Sequence, residues 1–163
     1  MEHAEASGPT PRLRRAGADD AANVRDLVAD AYSHYIPIIG RTPIPMLTDY
    51  ADAVRAHEVW VLDDDGTIVG VLELDPRQDH LWLENVAVLP ARQGRGFGRV
   101  LLAHAERVAG ERALREIRLL TNERYLANIA MYERHGYIET HRRPHLGTDL
   151  VYFTKRIEHE HPP

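Results

Sequence analysis

Residues 83–106 read L-E-N-V-A-V-L-P-A-R-Q-G-R-G-F-G-R-V-L-L-A-H-A-E, and this stretch decides the fold. An apolar run at 86–89 ends at Pro90, and a loop with three glycines leads into a segment of helical periodicity. A glycine-rich turn at the start of a helix forms an anion site, because glycine permits close backbone approach and the first helical N–H groups have no helical partner. The stretch therefore predicts a diphosphate-binding loop, to which three arginines add charge: Arg92, Arg95 and Arg99.

Two common phosphate-binding loops do not match the spacing of these glycines. A P-loop requires Lys-Ser or Lys-Thr after its last glycine, and the single lysine of the chain is Lys155. The dinucleotide fingerprint G-x-G-x-x-G, counted from Gly94, has Arg99 where its third glycine belongs. A different pattern, Q-x-x-G-x-G, does match the loop and begins at Gln93.

The bulk composition excludes several classes of function. The formal net charge is -5 and the pI is about 6.0, so electrostatics give no reason to expect nucleic acid as a partner. The absence of cysteine excludes disulfides, thiolate metal sites and a covalent cysteine mechanism. No apolar run reaches the length of a membrane span, and the first residues, M-E-H-A-E, do not resemble a signal peptide. We therefore expect a cytoplasmic protein without a membrane partner.

The order of apolar patterns predicts one α/β (α+β) domain over residues 12–157, between flexible tails at 1–11 and 158–163. The link from strand 81–88 to strand 116–121 passes through a helix, so these two strands should be parallel. The other expected strands are 13–16, 59–62, 67–74, 137–140 and 150–156. The other expected helices are a first one capped by Asp19 or Asp20, a short one near 47–54, and one at 126–135. The apolar run at 36–46 contains three prolines and a glycine, and it predicts an irregular segment.

A second motif, N-I-A-M-Y-E-R-H-G-Y at 128–137, lies on the last predicted helix. The two motifs resemble the signatures of the GNAT superfamily of acetyl-CoA-dependent N-acetyltransferases, and the element order over 12–157 resembles the GNAT fold. Three further stretches resemble a subgroup of small bacterial GNAT proteins of unassigned substrate. They are Y-S-H-Y-I-P-I-I-G-R-T-P-I-P-M at 32–46, L-L-T-N-E at 119–123 and V-Y-F-T-K-R-I at 151–157.

This resemblance implies a mixed central sheet of six to seven strands with an antiparallel meander, flanked by about four helices. It also implies that strands 81–88 and 116–121 splay apart at the cofactor site. The pantetheine arm of acetyl-CoA would enter that gap and pair with the strand backbone, as an added strand would. The cofactor-binding residues that it implies are Val86, Ala87, Val88, Gln93, Gly94, Arg95, Gly96, Phe97, Gly98, Arg99, Asn128 and Tyr132.

Acetyl transfer to an amine requires a base for the amine and a proton for the leaving thiolate. The resemblance assigns the second role to Tyr132, which lies one helical turn after Asn128 on the same face. Glu84, just before the acyl site, is the first candidate for the base, because a carboxylate within a sheet is unfavourable unless it faces a wet cleft. Glu73 and Asp75 on the neighbouring strand are the alternatives.

The expected acceptor is a primary amine of a small molecule or peptide. We expect direct transfer in a ternary complex, because no cysteine is available to form an acyl-enzyme. The segments 36–46 and 141–149 should frame the acceptor pocket, with Tyr32, Tyr35, Ile36 and Glu84 inside it. A homodimer is compatible with this fold.

Two other functions stay open: a non-catalytic acyl-CoA-binding regulatory module on the same fold, and a different nucleotide-binding α/β protein. No metal site is expected, because the paired histidines at 141 and 145, and at 159 and 161, have neither a cysteine nor a compact carboxylate cluster beside them. A serine hydrolase is also unfavoured, since the two serines, Ser7 and Ser33, lack the G-x-S-x-G context.

Overall fold

The structure is a computed structural model that describes residues 10–159. Most of each predicted tail, 1–11 and 158–163, lies outside the described residues. The strands are β1 (Arg12–Arg15), β2 (Glu58–Asp64), β3 (Thr67–Pro76), β4 (Leu81–Val88), β5 (Glu116–Asn122), β6 (Ile138–His145) and β7 (Thr148–Arg156). The α-helices of this part are α1 (Ala21–Tyr32), α2 (Ile36–Ile39), α3 (Tyr50–Ala56), α4 (Phe97–Glu111) and α5 (Leu126–Arg134).

The seven strands form one sheet in the order β1-β2-β3-β4-β5-β7-β6. Every neighbouring pair is antiparallel except β4–β5, which is parallel. The predicted mixed sheet, its β2–β3–β4 meander and the parallel crossover through α4 are therefore confirmed. The first hairpin turns at Asp65 and Gly66, whose φ angles of 50° and 91° are those that a two-residue turn between twisted strands requires.

Strands β4 and β5 pair over only a small part of their length. Leu81 pairs with Ile117 and Trp82 pairs with Arg118, and beyond these two pairs the strands separate. The splay that the resemblance implies is therefore present, and it opens a gap between the carboxyl-terminal halves of two central strands.

A bulge in β4 lies at the point where the gap opens. Glu73 of β3 opposes Asn85 and Leu74 opposes Leu83, so Glu84 is the extra residue. Leu83 and Val86 both belong to the core under α4, although simple alternation would place them on opposite faces. The bulge thus changes the face on which every later residue of β4 lies.

Helices cover both faces of the sheet. Helices α4 and α5 pack on one face over a core centred on Leu101, Leu102 and Phe153. Helix α1 packs on the other face with Val24 and Val28, which are fully buried at the spacing that an amphipathic helix requires. Within residues 10–159, no helix is both long and apolar enough to cross a membrane.

The predicted irregular segment at 36–46 contains more helix than expected. Residues Ile36–Ile39 form one α-helical turn, because proline is tolerated at the start of a helix, and Gly40 ends it with φ of 75°. Residues Ile44–Leu47 form a 3-10 turn. The prolines therefore limit helix in this segment to these two short turns but do not prevent it.

The last hairpin is longer than the sequence predicts. Strand β6 continues to His145, and the chain reverses at Leu146 and Gly147, whose φ angles are 48° and 84°. Most of segment 141–149 is therefore strand. The turn was not recognised because leucine is an unusual residue at a positive φ.

Candidate functional site

The glycine loop between β4 and α4 has an open backbone surface. Gly94 and Gly96 adopt φ of 79° and 85°, and a side chain at either position would meet no atom within 4 Å. Helix α4 begins at Phe97, and its first helical bond runs from the Val100 N–H to the Gly96 carbonyl. The N–H groups of the first turn therefore face open space with a positive partial charge, an arrangement that fits the diphosphate of coenzyme A.

Two side chains of this segment hold the loop in place. The Gln93 side-chain amide donates a 3.1 Å hydrogen bond to the Val88 carbonyl, and Arg92 forms an ion pair with Asp64 of β2. Arg95 and Arg99 are exposed, and neither forms an ion pair within the described residues. Only part of the predicted arginine cluster is therefore available to an anion.

A cleft of about 430 Å³ runs from the loop along the splay. Tyr35 and His34, beyond the end of α1, form part of its wall, so Tyr35 lies at the predicted cofactor site and not in the acceptor pocket. Arg95 does not line the cleft. The predicted cofactor residues that do line it are Val86, Ala87, Val88, Gln93, Gly94, Gly96, Phe97, Gly98, Arg99 and Asn128.

A second cavity of about 200 Å³ lies deeper in the splay, between the β4 bulge and the end of β5. Tyr32 lines both cavities and stands where they meet. Tyr132 and Glu84 line the second cavity, whereas Ile36 lines neither, because the helical turn at 36–39 directs Ile39 inward instead. The walls of the second cavity are mainly apolar and aromatic: Ile39, Ile44, Pro45, Trp82, Leu83, Leu120, Tyr125 and Leu150.

Tyr132 is a buried phenol on the wall of the second cavity. Its side chain packs against Tyr137 and Phe153, at ring-centroid distances of 5.6 and 6.1 Å. Burial raises the pKa of Tyr132 well above its ordinary value, and the nearby Tyr35 adds to the effect. No residue between 10 and 159 forms a hydrogen bond with its hydroxyl, which is therefore available to a ligand in the cavity.

Glu84 is exposed on the bulge, and its carboxylate belongs to a compact polar group. One oxygen of Glu84, one of Asp75 and one ring nitrogen of His57 all lie within 4.8 Å of one another. The buried Glu73 contacts His57 Nδ1 at 2.7 Å, and burial raises the pKa of Glu73, with Glu84 contributing in the same direction. All three carboxylates that the sequence proposes as base are thus brought together.

A buried hydrogen-bond network that the sequence analysis missed connects the two cavities. The Tyr32 hydroxyl donates to Asn85 Oδ1 at 2.8 Å, and Asn85 Nδ2 reaches the Tyr50 hydroxyl at 3.4 Å. Tyr50 in turn donates to the Pro45 carbonyl at 2.8 Å, and Asn128 Nδ2 lies 3.5 Å from the Tyr32 hydroxyl. A lone asparagine inside the apolar strand 81–88 was the signal in the sequence that could have found it.

The known proteins that this chain resembles agree with the geometry. Residues 22–137 match the family model described as the acetyltransferase (GNAT) family. No curated protein matches the chain at a significant level.

Several solved structures share the fold at low sequence identity. The ribosomal-protein-S18-alanine N-acetyltransferase of Escherichia coli is 20% identical to this chain. The match covers 92% of this chain and 96% of the E. coli protein, with a TM-score of 0.74. PaiA N-acetyltransferase of Thermoplasma acidophilum, in complex with coenzyme A, is 15% identical to this chain. The match covers 91% of this chain and 99% of PaiA, with a TM-score of 0.78. A GNAT family acetyltransferase of Elizabethkingia anophelis, with acetyl-CoA bound, is 16% identical to this chain. The match covers 90% of this chain and 98% of that protein, with a TM-score of 0.67. The family model, the splayed sheet and the open glycine loop together assign this chain to the GNAT acetyltransferase family, with acetyl-CoA as its cosubstrate.

Proposed function

We propose that this protein transfers the acetyl group of acetyl-CoA directly to a primary amine within a ternary complex. One observation carries the proposal: the splay between β4 and β5 holds two cavities that meet at Tyr32. One cavity begins at an anion-binding loop, and the other contains a carboxylate and a buried phenol. This arrangement lets donor and acceptor approach each other inside one gap, with neither covered by the other.

The loop and β4 are proposed to hold the cosubstrate, which supplies an activated acetyl group as a thioester. The N–H groups of Gly94, Gly96 and the first turn of α4 bind the diphosphate, and Arg99 adds a full charge. Because β4 is unpaired with β5 beyond Trp82, its backbone at Val86 and Val88 can bond to amides of an extended arm. Asn128, on the opposite wall, completes the cleft.

Glu84 is proposed to remove a proton from the acceptor. An alkyl amine has a pKa of about 10, so most of it is protonated at neutral pH and cannot attack until a base accepts the proton. Glu84 lines the acceptor cavity and is exposed, so it can take the proton directly or through water and release it to solvent. Glu73 and Asp75 stay alternatives, since both lie beside the same cavity wall.

Tyr132 is proposed to donate a hydrogen bond, and finally a proton, to the sulfur as the C–S bond breaks, and then to regain a proton from solvent. Its raised pKa keeps the phenol protonated throughout the physiological range. A buried hydroxyl without a protein partner is also a stronger donor than a solvated one, because no competing bond must first be broken.

A panel of primary amines, assayed for thiol release from acetyl-CoA, tests the proposal. We expect at least one amine to give release well above hydrolysis, together with its N-acetyl product by mass spectrometry. Binding of acetyl-CoA without turnover across the whole panel would favour the regulatory module instead. A thermal shift with NAD or ATP, and none with acetyl-CoA, would favour a different nucleotide-binding protein; acetyl-CoA at a hundredfold excess over Kd should stabilise the fold by about 2.7 kcal/mol.

A further inference from the structure

Arg41 places an uncompensated positive charge on the wall of the acceptor cavity. It is half-buried and lines the cavity. Its guanidinium donates to the Leu146 carbonyl at 2.8 Å, to Thr148 Oγ1 at 3.1 Å and to the His145 carbonyl at 3.4 Å. All three acceptors are neutral, and no carboxylate of residues 10–159 lies within 4 Å of the Arg41 guanidinium.

The position of Arg41 is fixed by buried polar side chains. Thr148, which is 5% exposed, also accepts a 2.8 Å bond from the side chain of Asn122. Asn122 is 4% exposed, lines the cavity, and accepts a 2.9 Å bond from the Arg124 backbone at its own oxygen. The guanidinium is therefore held rigidly, and three contacts leave two of its five N–H donors free.

A rigid, half-buried cation among apolar walls is unfavourable unless an anion accompanies it. The free N–H groups are on Nε and Nη1, so Arg41 can donate a single charge-assisted hydrogen bond to a carboxylate in the cavity. Glu84, which lines the same cavity from β4, also forms no ion pair within the described chain. The cavity thus carries one carboxylate and one guanidinium that form no ion pair within the described chain, and its other walls are mainly aromatic and aliphatic.

We infer that the acceptor is a small apolar amino acid, with its amine toward Glu84 and its carboxylate on Arg41. The inference rests on the proposed function and names its substrate class. A volume of about 200 Å³ accommodates one small molecule of this kind and not a folded protein surface. Arg41 then selects the acceptor by its carboxylate, and the apolar walls select its side chain.

A purely structural role for Arg41 makes a different prediction. Its bonds to the β6–β7 turn connect segment 36–47 to the last hairpin, and such a connection would support every acceptor equally. Arg124 is the matched control, because it donates a 2.8 Å bond to the Ile38 carbonyl of the same segment but is exposed and does not line the cavity.

The test compares L-leucine with isoamylamine, which is leucine without its carboxylate. The wild-type protein should acetylate leucine with a kcat/KM at least about tenfold higher, since a hydrogen-bonded charge pair contributes that much selectivity. In Arg41→Gln this ratio should fall close to one, mainly through a higher KM for leucine. In Arg124→Gln the ratio should stay at the wild-type value.

Several results would overturn the inference. Equal losses for both amines in Arg41→Gln would assign Arg41 a structural role only. A wild-type preference for isoamylamine, for leucinamide, or for the aminophosphonate analogue of leucine would exclude a carboxylate ligand. If no amine is acetylated, the proposed function fails. Melting curves of the coenzyme A complex then test the binding of the amino acid separately. Leucine, and not isoamylamine, should raise the Tm of the wild-type complex, and leucine should have no effect on the Arg41→Gln complex.

Discussion

The Tyr32 hydroxyl donates a 2.8 Å hydrogen bond to the side-chain oxygen of Asn85, and this buried pair stands where the two cavities of the splay meet. Asn85 can accept this bond only because the bulge at Glu84 directs it away from the core under α4. Burial raises the pKa of Tyr32 well above its ordinary value, and the neighbouring Tyr132 phenol raises it further. The hydroxyl therefore stays protonated and acts as a permanent donor.

Tyr32→Phe should lower the free energy of unfolding by about 1–3 kcal/mol, because the buried oxygen of Asn85 loses its donor. Urea denaturation measures the change. The matched control is Tyr137→Phe, since the Tyr137 hydroxyl is buried without any partner in the described chain and its removal should be neutral or stabilising. Equal destabilisation by both changes would contradict the role of the Tyr32–Asn85 bond.

Gly96→Val should abolish coenzyme A binding. The valine side chain would occupy the open surface of the loop, and it would also strain a backbone at φ of 85° by about 1–2 kcal/mol. Gly66→Val carries a similar strain at φ of 91° in the β2–β3 turn, outside the cleft. Calorimetry with coenzyme A should therefore show lost binding in the first variant and normal binding in the second.

Tyr132→Phe should lower kcat by about 10²–10⁴-fold while the Kd of coenzyme A changes little, if the hydroxyl acts on the leaving sulfur as proposed. Tyr137→Phe, which removes a hydroxyl from the adjacent ring, should leave kcat unchanged. Since burial raises the pKa of Tyr132, deprotonation of this phenol should cause no loss of activity below about pH 10 in a wild-type pH profile. An unchanged kcat in the Phe variant would remove Tyr132 from the mechanism.

Glu84→Gln should lower turnover most strongly near neutral pH, where the amine needs a base, and less at high pH, where free amine is abundant. The same profile for Asp75→Asn and Glu73→Gln identifies which carboxylate acts. We expect Glu84→Gln to have the largest effect, because it alone of the three lines the acceptor cavity. A loss that is flat across pH would place the base elsewhere.

His104 should make the fold sensitive to acid. Its ring packs on Trp60 at a centroid distance of 4.2 Å, and both ring nitrogens are buried without partners in the described chain. Burial lowers the pKa of His104, with the nearby Arg107 acting in the same direction. The folded state therefore binds this proton less readily than the unfolded chain does.

The contribution of His104 to the free energy of unfolding should thus be constant above pH 6.5 and fall as pH decreases toward its depressed pKa, by at most ~1.4 kcal/mol per pH unit. His104→Leu should flatten this part of the stability profile. Replacement of the exposed His159 by glutamine should leave the profile unchanged. A profile that keeps its slope in His104→Leu would assign the acid sensitivity to other groups.

Much of the fold was predictable because it depends on local patterns. The runs rich in β-branched residues in β2 and β3, the D-D-D-G turn and the glycine that ends α5 each act over a few residues. The loop after β4 was predictable for the same reason: a glycine at positive φ before a helix has the same consequence in any chain.

Other features had no local signal. Arg41 meets the β6–β7 turn across more than 100 residues of chain, and its unpaired charge is visible only once those carbonyls and Thr148 are in place. The placement of Tyr35 in the cofactor cleft and of Ile36 outside both cavities followed from two consecutive helical turns, Ser33–Tyr35 and Ile36–Ile39. Proline limits where a helix can begin but does not decide whether one turn forms.

The sequence by itself determined the order of the elements, the parallel crossover through α4 and the glycine loop, since each follows from local patterns read in chain order. Tertiary structure alone decided which groups share the second cavity. A single bulge at Glu84 turned Asn85 toward Tyr32 and placed Glu84 beside His57 and Asp75, because one extra residue in a strand reverses the faces of all that follow.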